Sequence, residues 1–521
     1  MESLADTPWD VTISGTGLAQ SLLALALSRS GKKILHVDKN TYYGGAEAAF
    51  SLQEAQEWAD SLNKEPGREP FEDVSIHFPS SASHGGKALA SSRAYSLSLS
   101  PYLVYTRSKL LPALISSKVY RQLEFQAVGS WWAYEDAATT EGTKSMSGNI
   151  RRVPGSREDI FADDSISMKE KRMLIKILRS VNQSSQLGEE QEDAIEEDLD
   201  LSFPDYMANK FNAPAKLNNA LLSLSLSQKL PQQTSASFAV PRIKRHLASM
   251  NVFGPGFCSL LAKWGCGAEI AQVGCRALAV GGGVYVLGRG IQSINAQKDD
   301  ANFHSITLSD GETIRSNHII GSPWDLPAEE SSSKITTQKV ARSISIISSP
   351  LEPLFPRIAE GGTIPAGAVV VVPNQTLSSD APDSPPVYLL VHSSDTGECP
   401  DGQCVIYGSV SVGGQDGQAL LAAAVNQLLE SITEVENTPT VLWTLRFTQI
   451  GILDSDVSPA NIYRSSVSDR IIYFPPPNLD LAFNDAIVDS VRAGWKAVLG
   501  DEAQDDDFMN FEDREKYDDD S

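Results

Sequence analysis

The stretch "WDVTISGTGLAQSLLALALSRSGKKILHVDKNTYYGG", Trp9–Gly45, decides the fold class of this chain. Its apolar pattern predicts a strand over 10–14, a helix over 18–30 that stops at Gly31, and a second buried strand over 33–37. A strand, a glycine turn, a helix and a further strand in this order make the βαβ unit that opens dinucleotide-binding domains. We therefore expect an α/β protein.

The glycine turn departs from the dinucleotide-binding pattern at one position. Gly15 and Gly17 stand where two glycines make the tight bend and admit the pyrophosphate, and Asp38 stands near the ribose-binding acid. Gln20 replaces the third glycine, which normally lets helix and strand pack closely. A long polar side chain there either props the helix off the sheet or fills the space of the cofactor. We predict a vestigial cofactor turn that no longer binds FAD; a flavin-dependent oxidoreductase with a degenerate turn is the alternative.

The net charge of −23 is unevenly spread along the chain. Residues 187–200 hold eight acids and no base, and residues 501–521 carry a net charge of −9, which leaves about −6 for the rest. Nucleic-acid binding needs a concentrated basic face, so this class of partner is excluded. The same balance argues against a standing electrostatic attachment to anionic membranes.

No pattern of a metal site or of a catalytic nucleophile is visible. Cys258, Cys266 and Cys275 lie eight and nine residues apart, which is not a zinc-ligand spacing. Cys399 and Cys404 flank a turn and could pair in a disulfide or on a metal, but no second pair completes a site. None of the seven histidines lies in a nucleophile motif. We therefore predict no metal and no catalytic residue, in a reduced, intracellular protein without a signal peptide or a membrane span.

The changes in composition divide the chain into a large α/β domain with mixed β-sheets and a smaller inserted helical domain. The tail is predicted to be a solubilising segment, with a docking motif through Phe508, Met509 and Phe511 as the alternative. The predicted segments are 1–155 (first part of the large domain, with a surface insertion at about 64–95), 156–240 (all-helical domain, with an acidic linker at 187–200), 241–499 (second part of the large domain) and 500–521 (acidic disordered tail).

Three segments resemble the conserved regions of the Rab GDP dissociation inhibitor and Rab escort protein family. The first is the opening stretch with "GTGL" and "YYGG"; the second is "PYLVYTRSKLLPALISSKVYRQLEFQAV", 101–128. The third runs from "PRIKRHLASM" to "GGGVYVL", 241–287, and the three occur in the order of the family. The resemblance covers most of the chain. It implies a flavoprotein-like, Rossmann-derived large domain that has lost its cofactor, with a small helical domain.

The resemblance also implies which residues meet the GTPase. The matching positions are the loop residues Tyr43, Gly44 and Gly45, and the predicted helix over 242–253 with Arg242, Met250 and Phe253. Two departures affect this surface. Val252 precedes the aromatic-glycine pair where dissociation inhibitors have an arginine, and the glycine spacing of "GCGAE", 265–269, is shifted by one residue.

The helical domain is predicted to shelter the geranylgeranyl lipid of the GTPase. At roughly 0.8 kcal/mol per buried CH₂, exposure of one such chain costs on the order of 10 kcal/mol, so a carrier needs an apolar pocket. Flexible methionines suit this task. The predicted lipid-binding stripe is Met168, Met173, Leu174, Ile177 and Leu178. The alternative is that the same stripe forms the core of the helical domain.

The resemblance implies Rab GTPases in their GDP-bound form as partners. The escort branch presents them to the Rab geranylgeranyltransferase heterodimer as a non-catalytic component and shields the lipid during delivery to membranes; the inhibitor branch recycles prenylated Rabs. The insertion at 64–95, the length of the chain and the departures at the GTPase surface favour the escort branch. The expected location is the cytosol, transiently membranes, with the nucleus as a further compartment.

Overall fold

A computed structural model gives the structure of this chain. It describes residues 4–64, 68–79, 88–135, 149–153, 167–183, 199–295, 303–328, 336–357, 361–373, 377, 384–432, 438–453 and 462–512. The helices of these residues are α1 (Leu18–Leu27), α2 (Leu52–Lys64), α3 (Leu110–Ser116), α4 (Met168–Gln183), α5 (Phe203–Phe211), α6 (Ala215–Ser225), α7 (Ala236–Ser249), α8 (Gly267–Val280), α9 (Gly414–Ser431) and α10 (Ala486–Leu499).

The strands of the same residues form two large sheets and one small one. They are β1 (Pro8–Ser14), β2 (Ile34–Asp38), β3 (Ala49–Phe50), β4 (Phe71–His77), β5 (Leu97–Ser98), β6 (Val104–Tyr105), β7 (Phe125–Glu135), β8 (Asn149–Arg152), β9 (Ser259–Ala262), β10 (Val284–Leu287), β11 (Ile291–Asn295), β12 (His304–Leu308), β13 (Thr313–Gly321), β14 (Gln338–Ile347), β15 (Gly367–Val372), β16 (Val387–Ser393), β17 (Cys404–Val410), β18 (Val441–Gly451), β19 (Tyr463–Arg464) and β20 (Ile471–Tyr473).

The first sheet carries the βαβ unit predicted from the opening stretch, which confirms the fold class. Its order is β10-β2-β1-β13-β12-β11, with β20 beside β13 and β19 beside β20. The pairs β10–β2, β2–β1, β1–β13 and β13–β20 are parallel, whereas β11 and β12 add an antiparallel edge. The helix α1 connects β1 to β2 in this parallel part, so its N-terminus faces the carboxyl edge of the sheet.

Helix α1 is buried on nearly every side because helices α8 and α10 pack against it. Its leucines belong to the same core as Val491 and Trp495 of α10. Gly274 of α8 lies over the backbone of α1, where a Cβ would come 2.5 Å from the Ser21 carbonyl oxygen. Only glycine permits the two helices to approach this closely. Gly274 therefore allows α8 to cover α1.

The second sheet has the order β4-β18-β14-β17-β16-β15-β7-β9-β6, with β8 beside β7, among the described residues. Its edge strand β4 (71–77) comes from the segment that the sequence predicts to be a surface insertion, and it pairs antiparallel with β18. Phe71 and Val74 are buried in the sheet's core. The insertion prediction is therefore wrong over these residues, because their buried apolar side chains complete the edge of a sheet whose neighbouring strand lies far away in sequence.

The helices α4 to α7 lie in the part of the chain predicted as a helical domain, and they share the core of the second sheet. Phe203 of α5 and Ile243 of α7 belong to one apolar cluster with Trp131 of β7 and Tyr388 of β16. Helix α7 ends at Ser249, so the boundary predicted at residue 240 and the helix predicted over 242–253 are both displaced. The predicted acidic linker lies outside the described residues, apart from Leu199 and Asp200.

Residues 500–512 pack against the first sheet's helices, so the predicted disordered tail is wrong over this part. Phe508, Met509 and Phe511 are at most 8% exposed and join the core of α1 and α10. The guanidinium of Arg29 lies over the Phe511 ring at 4.5 Å, and that of Arg492 lies over Phe508 at the same distance. Apolar side chains hold this acidic segment in place, and residues 513–521 lie outside the description.

Two further expectations concern cysteines and membranes. All five cysteines are buried and free, so the disulfide alternative for Cys399 and Cys404 is wrong. Within the described ranges, none of the helices combines the length and the apolar character that crossing a bilayer requires.

Candidate functional site

The glycine turn between β1 and α1 is held rigidly from the neighbouring strands. Gly15 has a φ of +86° and donates its N–H to the Val37 carbonyl oxygen at 2.8 Å. The His36 ring lies between the Gly15 carbonyl oxygen, 2.6 Å from Nε2, and the Tyr285 hydroxyl, 2.7 Å from Nδ1. Burial lowers the pKa of His36 to about 4, so the ring is neutral at physiological pH. The turn is thus fixed by β2 and β10.

Asp38 hydrogen-bonds the chain itself. One oxygen, Oδ2, accepts hydrogen bonds from the Thr16 N–H at 2.7 Å and from the Thr16 hydroxyl at 2.6 Å. The other oxygen, Oδ1, accepts the Asn40 N–H at 2.8 Å. Asp38 is fully buried, and its carboxylate closes the turn instead of facing an open ribose site. Thr16 in turn accepts the Gly44 N–H at 3.0 Å, which ties the "YYGG" loop to the turn.

A carboxylate of the chain occupies the N-terminus of α1. Glu47 Oε2 accepts the Leu18 N–H at 3.2 Å, and a Cβ built on Gly17 would lie 3.5 Å from the same oxygen. The N-terminus of a helix attracts anions, and dinucleotide-binding proteins place the pyrophosphate there. Burial raises the pKa of Glu47 to about 7, against the opposing hydrogen bond from Leu18. Glu47 therefore stands where a cofactor phosphate would bind.

Asp325 and Gln20 fill the other side of the turn. Gln20 is buried, and its Nε2 donates to Asp325 Oδ2 at 2.9 Å. A side chain at Gly15 would collide with the Asp325 carboxylate, so this carboxylate lies directly on the glycine. Burial, together with the charge of Asp38, raises the pKa of Asp325 to about 7. Gln20, the residue singled out from the sequence, thus acts together with an acid from the loop after β13.

The residues around the turn do not fit FAD, the cofactor that this fold implies. A cavity remains beside the turn, lined by Gln20, Tyr42, Trp324 and the prolines 475–477, among others. The acidic side chains of Glu47, Glu69 and Asp325 also line it. A pyrophosphate placed on the turn would meet these partly buried carboxylates and be repelled by their negative charge. The geometry therefore supports no flavin chemistry.

The loop predicted to contact a GTPase lies on this turn. A Cβ at Gly45 would approach the Gly17 backbone nitrogen to 3.3 Å, and Gly44 is buried with a φ of +101°. Both glycines therefore allow a close backbone approach. Tyr43 is partly exposed, and its ring meets that of Tyr285 edge-on, with centroids 6.2 Å apart. The loop thus presents one aromatic side chain from a rigid base.

The residues predicted around α7 lie in different environments. Arg242 forms an ion pair with Asp480 at 2.8 Å, and its guanidinium lies over the Phe238 ring at 4.1 Å. Met250 packs against the core of the second sheet, whereas the Phe253 side chain is 55% exposed. Arg242 therefore has a role inside the fold, and Phe253 is the member of this group that offers apolar surface.

The predicted lipid-binding stripe is divided by burial. Leu174 and Ile177 of α4 are buried in the core shared with α7, and Met173 is partly buried against it. Met168 is 58% exposed at the start of the helix. The side chain of Leu178 lies outside the described part of the chain. The stripe thus contributes to the core of the helical domain.

Sequence reasoning missed Glu47 and Asp325. Glu47 follows the "YYGG" loop by two residues. This position was a usable sequence signal, because an acid next to a loop that lies on the glycine turn can reach that turn. Asp325 lies about 300 residues from the turn and has no local signal. Only the parallel pairing of β1 with β13 brings its loop beside Gly15.

A sequence profile described as GDP dissociation inhibitor matches residues 5–438. The chain belongs to the GDP dissociation inhibitor family. Among relatives, "Rab proteins geranylgeranyltransferase component A" of Drosophila melanogaster is 28% identical over 97% of this chain and 91% of its own length. The protein of the same name from Saccharomyces cerevisiae is 26% identical over 97% of this chain and 86% of its own length. Against that of Candida albicans the identity is 30%, over 77% of this chain and 59% of the relative.

Solved structures of this family and of oxidoreductases share the fold. The Rab GDI of Plasmodium falciparum matches 95% of this chain and 99% of its own with a TM-score of 0.63 at 20% identity. An oxidoreductase from Methanosarcina mazei matches 94% and 99% with a TM-score of 0.54 at 12% identity. The family thus shares its architecture with enzymes, while Glu47 and Asp325 fill the cofactor turn in this member.

Proposed function

We propose that this chain is a Rab escort protein. It binds GDP-bound Rab GTPases, presents them to the geranylgeranyltransferase heterodimer and shields the attached lipid during delivery to membranes. The observation that carries the proposal is the alignment of component A relatives over 97% of the chain. The carboxylates at the glycine turn support it, because they leave the scaffold without a place for a redox cofactor.

The GTPase contact in this proposal is the loop Tyr43–Gly45. Its base is pinned by the Gly44–Thr16 hydrogen bond, so the partly exposed Tyr43 ring is presented with little conformational entropy to lose on binding. Phe253 and Met250 provide the second contact, since Phe253 is 55% exposed beyond the end of α7. Arg242 supports this surface from within through Asp480.

The lipid site of the proposal lies at helix α4. Met168 and Met173 stand at its exposed and partly buried positions, and Leu174 and Ile177 close the core beneath them. Entry of a prenyl chain would displace α4 from α7. The apolar contacts between the helices would be replaced by apolar contacts with the lipid, so the free-energy cost of opening this site is small. Leu178 belongs to the proposed stripe by its position in the sequence.

The chain acts in this proposal as an accessory component without catalytic residues of its own and without FAD. It works in the cytosol and meets membranes only while it delivers its cargo. A purified sample should therefore show no flavin absorbance band. A bound flavin would instead favour the oxidoreductase alternative.

A reconstituted prenylation reaction tests the proposal. The catalytic heterodimer, a GDP-loaded Rab and geranylgeranyl diphosphate are mixed with and without this chain, and lipid transfer is followed by mass spectrometry. The proposal requires transfer that depends on the chain. Absence of stimulation, together with extraction of prenylated Rab from vesicles, would instead assign the chain a recycling role. The "Rab GDP-dissociation inhibitor" of Saccharomyces cerevisiae is 26% identical over 66% of this chain.

A further inference from the structure

Cys266, His392 and Glu398 meet in the protein interior at the junction of three segments. Each side chain is at most 1% exposed, and one potential ligand atom from each lies within 4.8 Å of the others. Cys266 precedes α8, His392 lies at the end of β16, and Glu398 lies in the connection to β17. Thiol, imidazole and carboxylate are the three ligand types that zinc prefers in proteins.

The Glu398 carboxylate is the centre of this cluster. The Cys266 thiol donates to Oε1 at 3.5 Å, and the Tyr407 hydroxyl donates to Oε2 at 3.0 Å. His392 Nδ1 lies 2.7 Å from Oε2, whereas its Nε2 is buried without a hydrogen-bond partner among the described residues. The Glu398 carboxylate therefore contacts all three other polar side chains of the cluster.

The cluster also needs a positive charge. A carboxylate without solvent exposure is costly unless a cation lies beside it, and the ion pair described for Glu398 is the one with His392. A divalent cation bound by the cluster supplies such a charge. A divalent cation held by a thiolate, a carboxylate and a neutral imidazole leaves no net charge in the core.

We propose that Cys266, His392 and Glu398 bind a structural zinc ion. Tetrahedral zinc with bonds of about 2.0–2.3 Å holds its ligands about 3.3–3.8 Å apart. The 3.5 Å between Cys266 Sγ and Glu398 Oε1 already fits, and the 2.7 Å between His392 Nδ1 and the other oxygen, Oε2, has to widen by about 0.6 Å. A carboxylate that binds through both oxygens completes four donor atoms with the thiolate and the imidazole. On binding through Nδ1, the Cys266 thiol loses its proton to solvent, and His392 binds as the neutral ring that carries its proton on Nε2.

The backbone around Cys266 is consistent with this role. Cys266 has a φ of +53° and Trp264 a φ of +62°, which non-glycine residues rarely adopt. Trp264 donates its N–H to the Thr396 carbonyl oxygen at 2.9 Å, so the turn before Cys266 is joined to the β16–β17 connection. Zinc would link these two segments covalently. Structural zinc sites are closed in this way, whereas catalytic sites keep an open position.

Metal analysis of the full-length chain tests the proposal. The protein is expressed in zinc-supplemented medium, purified without chelators and analysed by inductively coupled plasma mass spectrometry. We expect about one zinc per chain in the wild type and a loss of most of it in Cys266→Ser. Cys275→Ser is the matched control, since this thiol is also buried and contacts Ser21, away from the cluster; it should keep its zinc.

Cobalt provides a second readout on the same ligands. Protein produced with Co²⁺ should show the visible bands of tetrahedral cobalt and a thiolate-to-cobalt charge-transfer band, both absent in Cys266→Ser. If that variant does not fold, the wild type alone decides, through its zinc content and a melting temperature lowered by chelator. Folded wild type with less than about a tenth of a zinc per chain would overturn the proposal.

Discussion

Replacing Glu47 by glutamine should stabilise the protein at neutral and alkaline pH. Glu47 holds a carboxylate in the buried turn with its pKa raised from 4.5 to about 7. Each pKa unit corresponds to about 1.4 kcal/mol, so this rise represents about 3 kcal/mol of disfavoured ionisation. Because Glu47 retains partial contact with solvent, we expect about 2 kcal/mol in the protein. Glutamine keeps an oxygen to accept the Leu18 N–H and never ionises.

The sign of the pH dependence follows from the raised pKa. The folded state binds the Glu47 proton more tightly than the unfolded chain, so this stabilisation is complete below about pH 4.5 and is lost as the pH rises through about 7. Glu47→Gln should therefore equal the wild type in acid and exceed it by about 2 kcal/mol at about pH 8. Asp325, with its pKa also raised to about 7, adds a loss of stability in the same direction in both proteins.

Urea unfolding followed by circular dichroism at a series of pH values measures this difference. Glu57→Gln on the exposed face of α2 is the matched control, and its free energy of unfolding should follow that of the wild type throughout. A Glu47→Gln protein that is less stable than the wild type at about pH 8 would refute the reasoning. It would mean that the ionised carboxylate stabilises the N-terminus of α1 more than its burial costs.

Three further substitutions test the packing and the proposed surface. Arg242→Ala removes one partner of the ion pair with the buried Asp480 and should cost about 3 kcal/mol, and Asp480→Asn in the same chain should recover part of it in a double-mutant cycle. Phe508→Ala removes a buried ring that lies 5.5 Å from Trp495 and should cost about 3 kcal/mol; an unchanged melting temperature would contradict packing of the tail. Tyr43→Ala should weaken Rab binding about tenfold or more in a titration while leaving the melting temperature unchanged; an unchanged affinity would remove the loop from the proposed surface.

Local patterns were sufficient for the elements that open the chain. The predicted strand, helix and strand at 10–14, 18–30 and 33–37 correspond to β1, α1 and β2. Their ends shift by at most a few residues, because turns and caps depend on contacts beyond the element. The family resemblance rests on the same local motifs, and the profile match to residues 5–438 confirms it.

Two sequence predictions that the structure contradicts, for residues 71–77 and 500–512, are wrong for the same reason. The segment 71–77 looks like part of a polar insertion, yet it completes the edge of the second sheet beside β18, about 370 residues away in sequence. Residues 500–512 look like a disordered acidic tail, yet three apolar side chains bury them against α1 and α10. The charge and composition of a segment indicate whether it can be exposed to solvent. They do not reveal a distant apolar surface that the segment can cover.

The βαβ scaffold, its altered glycine turn and the family can all be predicted from the amino-acid order, since all three depend on side-chain patterns within one short stretch. The side chains that fill the turn become visible only in the folded chain. Glu47 reaches the N-terminus of α1 from the "YYGG" loop, and Asp325 reaches Gly15 from the far side of the sheet. Both are placed by strand pairing and loop closure over long distances in sequence, which no local propensity encodes.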